Sequence, residues 1–341
     1  MQPFSNRVNK LLSLMTKKNL DVVFTSSLNN VFYYTGFEMS RDDSALLSVS
    51  KKGEVDLFVS PLTNSAETLK TAKVHFMSDL KDMQKVLEKN LKIGYDEYDL
   101  KVVAFDKLKA LCSKSKFYPC GEMLRKPREI KEAGEIENIK KALTITESVL
   151  KKLETHGSTE YQIAADVDYG FRKNNAGNAF ETIVSAGKRT FFIHYVPQNL
   201  KINSNDAVLV DCGARFKGYC ADITRMFYKK TTEKEKMIFE EVKNMQKMLI
   251  DKIRDGVKFD DVDNLYKKLL DKKKYAMLHS FGHNVGLDVH DLTSRGELKA
   301  GMVITVEPGI YVKGFGGCRL EDVVLVKKDK AQLLSGFVFR H

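Results

Sequence analysis

Ala207-Val-Leu-Val-Asp211-Cys-Gly213 is followed, after a turn at Lys217-Gly218, by Tyr219-Cys-Ala-Asp222-Ile-Thr-Arg225. Two β-rich segments with so short a connection predict a hairpin. An aspartate within an apolar strand is costly to bury unless it is paired or binds a cation. Two such carboxylates on paired strands can point into one site, although an aspartate at a strand end can also accept backbone hydrogen bonds. The stretch therefore predicts a hairpin with two candidate ligands, Asp211 and Asp222.

A cluster of histidines follows in His279-Ser-Phe-Gly-His283-Asn-Val-Gly-Leu-Asp-Val-His290. Three of the seven histidines of the chain fall within these twelve positions. Any one of them alone would be interpreted as an ordinary core or surface histidine. The glycines between them allow the backbone to approach a ligand closely, so the cluster favours a binding site.

Two further carboxylates stand at strand ends in the last part of the chain. Glu307 follows the apolar segment Met302-Val-Ile-Thr-Val306, and Glu321 precedes Asp322-Val-Val-Leu-Val326. With the two aspartates and one histidine, these residues form a ligand set of mainly oxygen and some nitrogen. Such a set suits a pair of Mn²⁺, Co²⁺, Fe²⁺ or Zn²⁺ ions.

The rest of the chain predicts two domains. In the first, the pattern predicts strands at 21–26, 54–60 and 92–95, and helices from Phe4 to Met15 and at 62–73, 79–89 and 100–112. This alternation is typical of an α/β domain. Beyond Pro127, which suits the opening of a helix, helices are predicted over 130–153, from Ser158, and near 232–254 and 259–271. After about residue 178 the pattern predicts strands and glycine-containing turns.

Composition excludes several classes of protein. The 341 residues are 43% hydrophobic and 30% charged, which is typical of a globular protein, and the N-terminal segment lacks the apolar run of a secretory signal. No apolar run is long enough to span a membrane. The five cysteines form no CxxC pair, which argues against a disulfide framework or a thiolate zinc site and favours a cytoplasmic location. The net charge of +11 comes from scattered lysines, so we expect a solvated basic surface and no nucleic-acid partner.

The segments carrying these acids and histidines closely resemble the proline-selective branch of the pita-bread metallopeptidases, the Xaa-Pro aminopeptidases and Xaa-Pro dipeptidases (prolidases). Asn30-Val-Phe-Tyr-Tyr-Thr-Gly-Phe37 and Leu124-Arg-Lys-Pro-Arg-Glu-Ile-Lys131 extend the resemblance over nearly the whole chain. The resemblance implies an α/β creatinase-like N-terminal domain over 1–122 and an α+β pita-bread catalytic domain over 123–341, with a curved antiparallel sheet covered by helices. It also implies a homodimer, small peptide substrates with proline second, and two divalent metal ions, with Mn²⁺ preferred over Co²⁺, Zn²⁺ or Fe²⁺.

The same resemblance implies roles for the metal ligands. Asp211 would bind one ion, Asp222 and Glu321 would bridge both ions, and His283 and Glu307 would bind the second ion. Glu307 would also carry a proton from the attacking water to the leaving amine, because a carboxylate beside two dications holds a proton loosely.

Further residues would act on the substrate. His290 would stabilise the oxyanion, and His194 would bind the substrate carbonyl or the proline side. His279 would lie in the substrate pocket, and Arg319 would fix Glu321 or the substrate backbone. Arg295 would bind the free carboxylate of proline in a dipeptidase, although it is equally interpreted as a solvated loop residue.

Three cysteine and loop positions bear on this resemblance. Ile193 stands where the family commonly has proline before the first catalytic histidine. Strand alternation should turn the Cys212 side chain away from Asp211. Cys220 shares a face with Asp222, but four carboxylates and one histidine already suit the site without a thiolate.

The sequence favours an Xaa-Pro aminopeptidase, with an Xaa-Pro dipeptidase as the alternative. A methionine aminopeptidase shares the ligand set but would normally lack a domain like residues 1–120. A creatinase-like amidinohydrolase would not need all five ligands, and a non-catalytic binding protein should have lost some of them. The intact ligand set therefore predicts an enzyme.

Overall fold

The computed structural model describes residues 2–40, 43–77, 83, 90–291 and 296–336. The chain divides into two compact units, Met1–Arg128 and Glu129–His341. The predicted domain boundary after residue 122 stays a prediction.

A mixed sheet forms the centre of the first unit. Within the described residues its strands are β1 (Val22–Thr25), β2 (Ala45–Ser50), β3 (Val55–Val59), β4 (Lys73–Phe76), β5 (Lys92–Tyr95) and β6 (Lys116–Pro119). They lie in the order β4-β3-β2-β1-β5-β6, with β1–β2 and β2–β3 antiparallel and the other pairs parallel. The helices of this unit are α1 (Gln2–Lys18), α2 (Leu28–Thr35), α3 (Val102–Leu111) and α4 (Gly121–Arg125).

The predicted α/β character of this unit is confirmed, with one local error. The predicted strands correspond to β1, β3 and β5, and the predicted helices at the N-terminus and at 100–112 correspond to α1 and α3. The helix predicted over 62–73 is wrong, because that segment forms only a 3₁₀ turn at Asn64–Thr68 before β4 begins. Its first apolar residue, Leu62, is 90% exposed, so it has no core to pack against. The helix predicted over 79–89 falls outside the described residues apart from Met83.

The second unit is built from antiparallel strands and four described helices. The helices are α5 (Ala133–Leu150), α6 (Glu160–Lys173), α7 (Glu233–Lys252) and α8 (Phe259–Lys272). The strands are β7 (Gly177–Asn178), β8 (Ile183–Ala186), β9 (Val208–Cys212), β10 (Ala214–Phe216), β11 (Tyr219–Cys220), β12 (Ile223–Phe227), β13 (Val303–Val306), β14 (Gly309–Val312), β15 (Gly316–Arg319), β16 (Asp322–Leu325) and β17 (Gln332–Leu333). They pair in the orders β12-β9-β8, β11-β10-β7, β13-β16-β17 and β14-β15.

Helix α5 begins later than the sequence suggested. Pro127 lies in a 3₁₀ turn, Lys126–Arg128, and does not open the helix. Glu132 caps the helix instead, in a reciprocal capping box with Glu135. The box satisfies backbone N–H groups that the first turn leaves without helical partners. Local capping therefore decides the start of α5.

The predicted hairpin is present as the antiparallel pair β9–β12, with β10 and β11 at its turn. The chain leaves β9 at Gly213, where a Cβ atom would lie 1.8 Å from the Ala221 carbonyl oxygen. Only glycine fits so close a backbone approach. Val242, Leu249 and Val262 of α7 and α8 belong to a cluster of buried apolar residues that also contains Leu209 of β9 and Met226 of β12. The hairpin that carries Asp211 therefore packs against these helices.

Within the described residues, no helix is both long and apolar enough to cross a membrane.

Candidate active site

A cavity of about 770 Å³ opens in the second unit. It brings together the predicted site residues His194, Asp211, Asp222, His279, His283, His290, Glu307, Arg319 and Glu321. Arg295 lies outside the described residues. A cavity of this size is in the usual range for small-molecule sites.

Arg319, the last residue of β15, links the acids. Its Nη2 donates a hydrogen bond to Asp211 Oδ2, and its Nε donates to Thr224 Oγ1 at 3.0 Å. The Thr224 hydroxyl in turn donates to Glu321 Oε2 at 2.7 Å. Because Thr224 stands opposite Asp211 in the β9–β12 register, the two side chains lie on one face of the hairpin. Arg319 thus contacts Asp211 directly and Glu321 through Thr224.

The second oxygen of Asp211 is an indication of a cation site. Asp211 Oδ1 is buried and has no hydrogen-bond partner among the described residues. A buried carboxylate oxygen without a donor is costly. Close by, Asp222, His283 and Glu321 offer ligand atoms that all lie within 4.8 Å of one another. Carboxylates with one imidazole fit a divalent transition metal, so the residues present suit the metal that the sequence predicts.

The electrostatics of the acids support the same interpretation. Burial raises the pKa of Asp222 and of Glu321 well above their usual values, and repulsion between neighbouring carboxylates adds to the effect. Burial also raises the pKa of Glu307 to about 7. So many buried carboxylates repel one another unless protons or cations neutralise them. A divalent ion would be the largest local charge and would offset that repulsion.

His283 is held in the form that binds metals. Burial lowers its pKa to about 3, so the ring is neutral near pH 7. Its Nδ1 lies 3.1 Å from the Asn284 carbonyl oxygen, which can only accept, so Nδ1 carries the hydrogen. The free lone pair is then on Nε2, 3.5 Å from Asp222 Oδ2 and 3.4 Å from Glu307 Oε1. A hydrogen bond that fixes the tautomer of a histidine is the usual support of a metal ligand.

Pairing along β13 places His283 beside Glu307. Phe281 O accepts from Glu307 N at 2.8 Å, and His283 O accepts from Thr305 N at 2.8 Å. Gly282 lies between them, and a Cβ there would be 2.0 Å from Thr305 O. Glycine is therefore required for this segment to lie directly against β13.

Both ring nitrogens of His279 form hydrogen bonds within the protein. Burial lowers its pKa to about 4, so the ring is neutral near pH 7. Nδ1 donates to Ser280 O at 2.8 Å, so Nε2 accepts from the Tyr311 hydroxyl at 2.9 Å. The Tyr311 oxygen accepts from Arg319 Nη1 at 3.0 Å. His279 therefore belongs to the network that fixes Arg319, and its substrate-binding role stays a prediction.

The other two histidines stand on the open wall of the cavity. His194 and His290 are both exposed, in contrast to His283. The His290 ring lies 4.0 Å, centroid to centroid, from the ring of His283, and partial burial lowers the pKa of His290. Ile193 and Phe180 add apolar surface to the same wall. Both histidines are therefore accessible to a substrate in the cavity.

The two cysteines beside the acids are buried thiols. Burial raises the pKa of Cys212 well above its usual value. Cys220 Sγ lies 3.5 Å from Leu287 O as a weak donor. Within the described residues, the group that could hold a metal ion includes neither cysteine.

Sequence reasoning missed Thr224 and Tyr311, which complete the network around Arg319. Thr224 could have been found from strand alternation, because it lies two residues after Asp222 and on the same face. Tyr311 gave no such signal. Its hydroxyl reaches Arg319 because β14 and β15 pair, with Gly309 opposite Arg319.

Residues 137–328 match the family described as Metallopeptidase family M24, and residues 7–130 match the Creatinase/Prolidase N-terminal domain. The chain belongs to metallopeptidase family M24. It is therefore a metal-dependent hydrolase, with a creatinase-like N-terminal domain and a pita-bread catalytic domain. The predicted fold class and the predicted divalent metal cofactor are confirmed at this level.

Two relatives align with nearly the whole length of this chain. The Xaa-Pro dipeptidase of Pyrococcus horikoshii is 31% identical, over 98% of this chain and 98% of its own. The putative Xaa-Pro aminopeptidase of Mycoplasma pneumoniae is 32% identical, over 97% of this chain and 96% of its own. The solved prolidase of Pyrococcus horikoshii OT3 superposes with a TM-score of 0.90 at 29% identity, covering 97% of this chain and 98% of that one.

Proposed function

We propose that this chain is an Xaa-Pro dipeptidase that hydrolyses the bond between a first residue and a C-terminal proline. The observation that carries the hydrolytic reaction is the convergence of four carboxylates and one neutral histidine on one cavity. Full-length similarity to proteins named Xaa-Pro dipeptidase or prolidase supports the dipeptidase over the aminopeptidase that sequence analysis favoured. The aminopeptidase remains the second candidate, because a relative carries that name.

The ligand set supports a two-metal centre. We infer that Asp211 would hold one ion, that His283 and Glu307 would hold the other, and that Asp222 and Glu321 would contribute to both, with Mn²⁺ as the expected metal. Two such ions would act as Lewis acids on the scissile carbonyl and lower the pKa of a coordinated water. A homodimer stays a prediction from the family resemblance, and a cytoplasmic location stays a prediction from the pattern of cysteines.

The protein side chains would orient the substrate and move the proton. Glu307 would take the proton of the attacking water and deliver it to the proline nitrogen, from its place beside His283. His290 would donate a hydrogen bond to the developing oxyanion, and His194 would hold the substrate carbonyl. The proline nitrogen has no N–H and a fixed ring, so a pocket shaped for the ring can select it.

Hydrolysis of an Xaa-Pro dipeptide beside an Xaa-Pro-Yaa tripeptide tests this proposal. With Mn²⁺ we expect kcat/KM to be much higher for the dipeptide, and a chelator should abolish both activities. Faster cleavage of the tripeptide would favour the aminopeptidase. Cleavage of neither peptide in the Mn²⁺-loaded protein would refute both.

Arg295 provides a finer test of dipeptide selection. If its guanidinium binds the proline carboxylate, Arg295→Ala should raise KM for the dipeptide strongly and affect the tripeptide much less. Lys299→Ala is a control for removing a nearby positive charge. Small and equal effects of Arg295→Ala on the two substrates would leave Arg295 as a surface residue and favour the aminopeptidase.

A further inference from the structure

Glu160, the first residue of α6, has a buried carboxylate that binds two separate parts of the chain. Its side chain is 0% exposed. Oε1 accepts from the backbone N–H of Ala186 at 3.0 Å and from Arg189 Nε at 2.7 Å. Oε2 accepts from the backbone N–H of Gln198 at 3.2 Å. One carboxylate therefore joins the two ends of the segment 186–198.

The first turn of α6 adds backbone contacts to the far end of this segment. Glu160 N donates to Leu200 O at 3.2 Å, and Tyr161 N donates to Gln198 O at 3.1 Å. These are N–H groups that the start of a helix leaves without helical partners. Burial raises the pKa of Tyr195, and the nearby Glu160 carboxylate adds to that rise. The backbone of residues 198–200 is thus tied to one point, the N-terminus of α6.

The middle of the segment 186–198 forms part of the wall of the active-site cavity. Ile193 and His194 line the cavity, yet His194 itself is exposed. The near end of the segment has a second support, because Gly317 N donates to Thr190 Oγ1 at 2.7 Å. The far end relies on α6. The position of the His194 side chain therefore depends on the hydrogen bonds between the start of α6 and residues 198–200.

We propose that Glu160 is a positioning residue, which holds the segment 186–198 closed and so places His194 against the substrate. We call the hydrogen bonds from Ala186, Arg189 and Gln198 to the Glu160 carboxylate the clamp. The role of His194 rests on the proposed function, but the clamp is a property of the fold. A buried carboxylate is retained at a cost unless charge-assisted hydrogen bonds satisfy it. Here Ala186 N, Arg189 Nε and Gln198 N, which donate to the carboxylate, all belong to the segment 186–198 that carries His194.

A double-mutant cycle between Glu160 and His194 tests the proposal. Glu160→Gln keeps the shape of the side chain but replaces one acceptor oxygen with a donor, so it should release one end of the segment. We expect kcat/KM to fall about 10- to 100-fold, because small displacements of a positioning group have effects of this size. In the His194→Ala background the same substitution should change kcat/KM by less than about twofold, since coupled residues are not additive.

Two further variants keep the test decisive if Glu160→Gln folds poorly. Tyr195→Phe removes the hydroxyl that lies near the Glu160 carboxylate, and it should lower kcat/KM by a smaller factor, again only when His194 is present. Thr159→Ala is the matched control, because Thr159 caps the same helix through the backbone N–H of Gln162 at 3.2 Å. Its variant should lower the melting temperature while kcat/KM stays unchanged. Equal losses with and without His194 would overturn the proposal and leave Glu160 with a purely structural role.

Amide hydrogen exchange separates this proposal from the proposed function. In protein without added metal or substrate, Glu160→Gln should speed exchange across residues 192–198 at least about 10-fold, while Thr159→Ala should not. If wild-type protein hydrolyses no Xaa-Pro peptide yet the exchange result holds, the clamp stands and the proposed function fails. Unchanged exchange in Glu160→Gln would refute the clamp whatever the activity.

Discussion

Lys131→Met should destabilise the protein by about 3 kcal/mol, because it leaves the Asp291 carboxylate buried without its cation. Lys131 Nζ lies 3.5 Å from Asp291 Oδ2, and the two side chains are 1% and 2% exposed. Removing one partner of a buried ion pair costs roughly 3–5 kcal/mol, and we take the lower end because the pair is separated by more than a short hydrogen bond. A loss of about 3 kcal/mol corresponds to a fall in melting temperature of roughly 6–12 °C for a unit of this size.

Urea denaturation followed by circular dichroism would measure this loss. Lys131→Met with Asp291→Leu should recover most of the stability, because an apolar pair of similar volume removes the buried carboxylate as well. Lys273→Met is the control. It breaks a shorter ion pair, 2.6 Å to Glu241, in which the lysine is 49% exposed, so its effect should be much smaller. If the two lysine variants lose the same stability, the Lys131 pair is not desolvated in solution and the reasoning is wrong.

Three more substitutions test the site. Gly213→Ala should prevent accumulation of folded protein, because its Cβ would meet Ala221 O at 1.8 Å; a soluble variant with a wild-type melting curve would contradict the close approach. Thr224→Val removes the hydroxyl that links Arg319 to Glu321, and it should weaken Mn²⁺ binding about 10- to 100-fold by calorimetry, whereas unchanged affinity would exclude the link. His290→Ala should lower kcat about 10²- to 10³-fold with metal content unchanged; loss of metal would make His290 a ligand.

Sequence periodicity predicted the helices whose own apolar spacing determines which face is buried. Helices α7 and α8 each present one apolar face to the core, and the predicted spans agree with Glu233–Lys252 and Phe259–Lys272 within a few residues. The segment 62–73 also has apolar residues at helical spacing, but the fold uses its end as β4, which pairs with β3. That pairing is a tertiary contact, which the local pattern does not contain.

The candidate site was predictable where the chemistry alone limits the choice. Acids at strand ends and histidines among glycines pointed to the four carboxylates and to the histidines between 279 and 290. His194 and Arg319 were predicted only from the family resemblance. The supporting groups were not predictable in the same way. Tyr311 and Glu160 have ordinary local sequence, and their roles depend on partners at Arg319 and at residues 186–198. Which polar groups meet is decided by strand register and loop closure, and one sequence does not specify these.

Two glycines, Gly213 and Gly282, are required by the fold, whereas the acids near them are required by the chemistry of the site. Gly213 and Gly282 have no side chain that could bind an ion or a substrate, yet any side chain there would collide with a carbonyl oxygen. Descendants of this chain that abandon catalysis would be free to replace Asp222 or Glu321, whereas both glycines would persist for as long as the fold does. A relative that keeps the glycines and lacks the acids would therefore be recognisable as an inherited scaffold put to another use.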